Sequence, residues 1–279
     1  MRYTVLVDNT ALIDRYFHAE PGFSLWLEDG DTRILFDTGY SDICITNAAK
    51  MGIPLTTAEY VVLSHGHVDH TGGLAPLLRL FAETARETGN QARPALLAHP
   101  YAISRRVLAK VGDVGCELPP ALLAAQTNLT LSEKPVWITD NCVFLGEIPR
   151  IFPFEAWEPR SMLLTENGWV PDTVPDDSAI ACLTGDGMVL ITGCAHAGIC
   201  ATVAYATEIC GEDRIADIIG GFHLYRAGAE RIAKTAAYLA EIRPAAVHAC
   251  HCTGFAALQA LAGRVNLAET GVGMHCSFS

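Results

Sequence analysis

Long apolar runs are missing from this 279-residue chain: no stretch approaches the ~20 residues that span a bilayer. A secretory leader is missing too. The N-terminus, Met1-Arg2-Tyr3-Thr4-Val5-Leu6-Val7-Asp8, is a strand-like run closed by an acid, not a charged region followed by an apolar segment. Nor is there a basic run: 19 Lys and Arg stand against 31 Asp and Glu, a formal charge of −12 spread along the sequence, which argues against a nucleic-acid partner. Compact cysteine spacing is also lacking. The ten cysteines, at 44, 116, 142, 182, 194, 200, 210, 250, 252 and 276, are expected to be mostly buried free thiols in a reducing cytoplasm. These absences predict a cytoplasmic protein with small-molecule partners, no membrane and no nucleic acid, and they leave the oligomeric state unknown. Clear periodicity is absent between about 112 and 175. Eight prolines and the aromatics Phe152, Phe154, Trp157 and Trp169 fall there, so the segment reads as an irregular insertion, a lid or binding loop.

Half of the residues are apolar, enough for a sizeable core, and the whole chain 1–279 reads as one domain of class α/β. Short apolar runs at 4–7, 23–27, 33–36 and 60–63, separated by turn residues, predict strands, with a helix over 41–51. Leu74, Leu77, Leu78, Phe81 and Ala85 predict one face of an amphipathic helix. Gly185-Asp186-Gly187 between two apolar runs predicts a hairpin, with Asp186 a turn residue. The second half repeats one device: short β-rich runs end at Cys194-Ala195-His196, at Phe222-His223 and at Cys250-His251, each before a helical segment. Strand-end loops on one sheet edge are where α/β sites are built.

The densest chemistry is Ser64-His65-Gly66-His67-Val68-Asp69-His70-Thr71-Gly72-Gly73, directly after the run 60–63. Three imidazoles and a carboxylate within six residues have few structural uses. Their offsets scatter around a helix, so a loop must present them, with alternate histidines on one metal and the last pair turned toward a second. A histidine-dominated donor set suits Zn²⁺ first and Mn²⁺ or Fe²⁺ next. His196 and His251 are expected to join His65, His67, Asp69 and His70 as ligands, while His223 is a candidate for metal or substrate. Cys194, beside His196, is either a metal-bridging thiolate or a buried thiol. Asp37, at a strand end, either orients the histidine loop or caps the following helix. His99 reads as structural, and Arg105, Arg106, Arg150 and Arg160 are candidate phosphate partners.

The string at 64–73, together with Phe36-Asp37-Thr38-Gly39, resembles the metallo-β-lactamase superfamily. Asp176-Asp177, the segments around Cys194 and His196, Gly220-Gly221-Phe222-His223 and His251-Cys252-Thr253-Gly254 resemble its branch labelled 7,8-dihydropterin-6-methyl-4-(β-D-ribofuranosyl)aminobenzene-5′-phosphate synthase-like. The resemblance implies an αββα sandwich with a dinuclear site at one sheet edge. It makes His65 and His67 ligands of one metal, and Asp69, His70 and His251 ligands of the other, with Asp69 also orienting the nucleophile. Two positions depart from the family pattern. A further histidine usual before the hairpin is replaced by a stretch containing Asp172, Asp176 and Asp177, and the usual bridging aspartate is missing from a strand that ends in Cys194 and His196. The resemblance implies a metal-dependent hydrolase acting on an ester, phosphoester or related substrate. The alternatives are a pterin-cofactor biosynthetic enzyme acting on a phosphorylated substrate, or a metal-bound ligand-binding module without turnover. A di-iron oxidoreductase would need a flavin-bearing partner domain, which is not expected here.

Overall fold

The computed structural model describes residues 1–89 and 93–279. Strands β1 (Arg2–Val7), β2 (Ser24–Asp29) and β3 (Thr32–Phe36) form an antiparallel meander. Helix α1 (Ile43–Met51) carries the chain back, so β4 (Tyr60–Val62) pairs with β3 in parallel. A short helix α2 (Val68–Thr71) and the long α3 (Leu74–Thr88) make the next crossover, to β5 (Ala95–Ala98) beside β4. The apolar face read from the sequence of α3 is the face that packs: Leu74, Leu77 and Leu78 are buried and Phe81 lies against them. The helix stops at Gly89, whose φ of 75° is the left-handed cap that glycine adopts without strain.

The middle of the chain holds β6 (Arg106–Leu108), β7 (Gly112–Asp113), α4 (Pro120–Gln126), β8 (Asn128–Leu131), β9 (Val136–Trp137), β10 (Cys142–Phe144), β11 (Ser161–Thr165) and β12 (Gly168–Pro171). This corrects the expectation of an irregular insertion over 112–175. β8 extends the first sheet, β9 and β10 extend the second, and β11, β12 and β7 join β6 in a small side sheet. Strands of two to five residues, bounded by prolines, are too short to display a period of two.

The last third contains β13 (Ala179–Thr184), β14 (Gly187–Thr192), α5 (Ile199–Cys210), β15 (Ile215–Gly221), α6 (Ala229–Ile242), β16 (Val247–Cys250), α7 (Phe255–Leu261) and β17 (His275–Ser277). β13 and β14 form the expected hairpin, and Asp186 in its turn accepts a hydrogen bond from the Ser279 amide. β14, β15 and β16 run parallel, each followed by its helix. The first sheet has the order β17-β1-β2-β3-β4-β5-β8 and the second β16-β15-β14-β13-β10-β9.

Three separate cores define four layers. Alternation along β2 sends Leu25 and Leu27 between the sheets, where they meet Phe144, Ile180 and Ile191, and sends Trp26 outward to the helices α1, α3 and α4. The outer face of the second sheet, with Leu190 and Ile218, is covered by α5, α6 and α7 through Val203, Leu239 and Leu261. The order is therefore helices, sheet, sheet, helices, the αββα arrangement. Cys142 and Cys182 are directly opposed on β10 and β13 and form a disulfide, a correction to the expectation of free thiols there. Their 40-residue separation hides this pairing from the sequence. No helix among the described residues is long and apolar enough to cross a membrane.

Candidate metal centre

All the predicted site residues lie at one edge of the sandwich. β4 leads into Ser64 and His65, β14 into Cys194 and His196, β15 into His223 and β16 into His251, while Asp37 follows β3 and Asp8 follows β1. Four of these strand-end residues, Asp37, Ala195, His223 and His251, hold φ between 48° and 54°. Such left-handed backbone costs non-glycine residues of order 1–3 kcal/mol, and it turns each loop sharply so that its side chains face a common point. Gly66 is required for a different reason: a Cβ there would overlap the Arg106 guanidinium and the Ala102 carbonyl.

Asp37 is the hub. Fully buried, it accepts from the Ser64 amide at 2.7 Å, from Ser64 Oγ at 2.6 Å and from His70 Nδ1–H at 2.7 Å. Because the single Ser64 hydroxyl proton goes to the carboxylate, Ser64 Oγ accepts from His65 Nδ1–H at 2.9 Å. One carboxylate thus fixes two tautomers and leaves the Nε2 atoms of His65 and His70 facing the imidazoles of His67 and His251. On the opposite side Asn9 Oδ1 accepts from His251 Nδ1–H at 2.9 Å, and Asp8 accepts from the His251 amide.

The donors converge in two sets. His65 Nε2 lies 3.0 Å from His67 Nδ1, and the His196 ring is 4.8 Å and 4.9 Å from those of His65 and His67. His70 Nε2 lies 3.2 Å from His251 Nε2, and Asp69 Oδ2 is 3.5 Å from His251 and 3.8 Å from His70. Cys194 belongs to both: donor atoms of His65, Cys194 and His196 lie within 4.8 Å of one another, as do those of His70, Cys194 and His251. Its Sγ is 3.3 Å from His70 Nε2. His223 belongs to neither set. It stacks at 4.1 Å on His196, between Trp157 and Tyr225, in the wall of a cleft of about 400 Å³ that His67, Asp69, Cys194 and His251 also line. His99 stays away from the cluster, accepting from the Tyr101 amide instead.

These residues fit a bound cation. Both ring nitrogens of buried His196 lack any hydrogen-bond partner. With both Nδ1–H groups committed, the facing Nε2 atoms of His70 and His251 need a positive charge between two lone pairs, either a proton or a metal ion. Burial lowers His70, but Asp69 and Asp37 outweigh it and raise its pKa to about 9, whereas burial and then His70 push His251 down to about 3. A metal ion would displace the shared proton. Burial, then the neighbouring imidazoles, also holds His65 and His196 neutral, well below the ordinary imidazole value. A histidine-rich set with one carboxylate and one thiol is a borderline-soft donor set, suited to Zn²⁺-class ions.

Arg106, expected as a phosphate partner, is wholly buried and occupied. It donates to Asp172 at 3.0 Å, to Asp176 and to the Tyr101 carbonyl, while Asp176 accepts from the Gly66 amide at 2.8 Å. Asp172 Oδ2 lies 3.9 Å from His67 Nε2. The stretch that departs from the family pattern thus braces the histidine loop from behind. Arg150 is occupied too, donating to the carbonyls of His196, Thr173 and Val174, and Trp157 Nε1 donates to the His196 carbonyl at 2.9 Å. Arg105 is paired with Asp113. Sequence reasoning missed the roles of Asp8, Asn9 and Asp172, because each acts through a tertiary contact. Cys252, set apart from the other cysteines in the sequence because it neighbours His251, has its Sγ 3.4 Å from that of Cys194.

The family model of the metallo-beta-lactamase superfamily matches residues 19–251. The chain belongs to this superfamily. Within it, the chain is 30% identical over 260 residues to the Methanocaldococcus jannaschii protein named 7,8-dihydropterin-6-methyl-4-(beta-D-ribofuranosyl)-aminobenzene-5'-phosphate synthase, covering 90% of this chain and 87% of that protein. An uncharacterized protein of the same organism is 30% identical over 269 residues, covering 96% and 97%. Among solved structures, Tm1679, described as a metal-dependent hydrolase of the beta-lactamase superfamily, superposes with a TM-score of 0.83 at 27% identity over 100% of this chain and 99% of its own. A diphosphatase of the PhnP family, 14% identical with a TM-score of 0.56 and covering 100% and 98%, shares the metallo-beta-lactamase fold. The superfamily fold implies a divalent metal at the strand-end edge, where this chain gathers its histidines.

Proposed function

We propose that the chain is a metal-dependent hydrolase of small ester, phosphoester or related substrates, with His65, His67 and His196 holding one metal ion and Asp69, His70 and His251 a second. The observation that supports this reading is the convergence of both donor sets on Cys194, whose thiol would be within reach of either ion. Zn²⁺ is the expected metal, with Mn²⁺ or Fe²⁺ compatible with the same donors. Bound metal would lower the pKa of a water from about 15.7 toward about 7 and stabilise the developing oxyanion. The protein's own part is positioning. Asp37 keeps the imidazole lone pairs aimed, and Asp69, at the cleft wall, would orient an attacking water by accepting its hydrogen bond. His223, pushed down to about 4 by burial and then by Arg231, is neutral at pH 7 and can hydrogen-bond a polar substrate group. Trp157 and Tyr225 flank it with aromatic surface, which suits a substrate carrying a flat ring.

His67→Ala should remove bound metal and abolish turnover of any ester or phosphoester that the wild type cleaves; turnover unchanged by this substitution would sink the proposal. A second reading, a pterin-biosynthetic enzyme acting on a phosphorylated substrate, draws on the 30% identity to the synthase over most of both chains. A screen of phosphoesters, lactones and thioesters beside phosphorylated pterin precursors separates the two. Two metals with tight ligand binding but no turnover would favour a binding module.

A further inference from the structure

Away from the cleft, four side chains from four strands meet at the open margin of the sandwich. β17 and β16 are the edge strands of the two large sheets, with β1 and β15 next to them. Tyr3 on β1 and Cys276 on β17 are register partners, and Asp217 on β15 and His248 on β16 face them across the interlayer. Asp217 is fully buried; it accepts from the Tyr3 hydroxyl through one oxygen and from His248 Nδ1–H at 2.8 Å through the other. A metal ion taken between Asp217 and His248 would displace the proton of that second bond, making Nδ1 the ligand atom and leaving the ring proton on Nε2.

Asp217, His248 and Cys276 each present a donor atom within 4.8 Å of the other two. Tetrahedral zinc, with bonds of about 2.0–2.3 Å, holds its ligands roughly 3.3–3.8 Å apart, so a closure of about 1 Å brings three protein ligands into range and leaves the fourth position to water. Carboxylate, imidazole and thiol together select zinc-class ions over Mg²⁺ or Ca²⁺. Cys276 is only half-buried, which gives an ion a path in. His248 precedes His251 by three residues, about 10 Å along an extended strand, so the cluster is separate from the cleft.

We propose that Asp217, His248 and Cys276 form an additional metal site, taking a Zn²⁺-class ion and stapling the C-terminal strand β17 to β15 and β16 of the opposite sheet. Its role is structural, and it does not depend on the reading of the cleft. The test uses the full chain loaded with Zn²⁺ and freed of excess metal by gel filtration. A His67→Ala/His251→Ala background, which weakens the cleft site, should retain one equivalent of zinc, and adding Cys276→Ser and His248→Asn should remove it. Should that background not fold, Cys276→Ser in the wild-type chain, a near-isosteric change at a half-buried position, serves by difference. It should cost one equivalent of zinc and the zinc-dependent part of the rise in Tm, while turnover is unchanged. Equal zinc content with and without Cys276→Ser and His248→Asn would overturn the proposal and leave the cluster a hydrogen-bonded network. A wrong reading of the cleft would show separately, as metal content unaffected by His67→Ala.

Discussion

Asp37→Asn perturbs the proposed metal centre without touching any of its donors. Asparagine tolerates left-handed backbone better than almost any other non-glycine residue, so the φ of 54° at this position is kept. The amide retains one acceptor, which can still take the Ser64 amide, but its NH₂ now faces Ser64 Oγ and His70 Nδ1, where a carboxylate oxygen accepted two protons at 2.6 Å and 2.7 Å. Both relays reverse. The amide donates to His70 Nδ1 and to Ser64 Oγ, Ser64 donates to His65 Nδ1, and the ring protons of both histidines move to Nε2, where the lone pairs had been. Loss of such an orienting partner typically costs 10–100-fold in metal affinity, about 1.4–2.7 kcal/mol, and here one substitution acts on both donor sets. Competition of apo-protein against a chromophoric chelator should therefore show weaker binding in both phases, with a folded chain by circular dichroism. Affinities within threefold of wild type in both phases would refute the hub role of Asp37.

Other expectations follow from the same structure. Arg106→Met leaves the buried Asp172 and Asp176 without their cation and should destabilise the chain by about 3–5 kcal/mol in urea unfolding; a loss below about 1 kcal/mol would mean that the two carboxylates find other partners. Burial pushes the Asp177 carboxyl up to about 7, so the folded chain keeps this proton where the unfolded chain loses it near pH ~3.9. The stability it contributes is complete below about pH 4 and is lost as pH rises through about 7, so Asp177→Asn should gain on wild type between about pH 5 and pH 8. A difference in denaturant midpoint that does not change with pH would contradict this. Leu77→Ala empties a fully buried position under α3 and should cost about 2–5 kcal/mol, read as a lower urea midpoint at unchanged slope. Cys194→Ser should weaken retention of both cleft metals together, whereas a purely structural thiol would leave metal content unchanged.

Local pattern made much of this protein legible. The spacing of Leu74, Leu77 and Leu78 predicted the packed face of α3, because a helix repeats every ~3.6 residues whatever lies opposite. The run 60–63 followed by His65, His67, Asp69 and His70 identified the loop that opens the site, because those donors are neighbours in sequence and need no tertiary contact to be recognised. The strand ends at Cys194, His196, His223 and His251 were visible one at a time. Only the folded chain decided how they combine. It placed His196 beside His65 and His67, left His223 as cleft wall, and set Cys194 between the two donor sets, since parallel pairing of β14, β15 and β16 aligns their ends on one edge.

The same limit explains the misreadings. Residues 112–175 looked irregular because their strands are too short to carry a period, and their place in the sheets comes from pairing with β5 and β13. Arg106 looked like a free cation because its partners, Asp172 and Asp176, lie more than 60 residues away. Cys142 and Cys182 looked like separate thiols for the same reason. Sequence by itself determined where the candidate donors cluster and which faces are apolar, both local properties. Tertiary structure decided which of those donors lie together and which charges are already taken, because long-range register and burial set those distances.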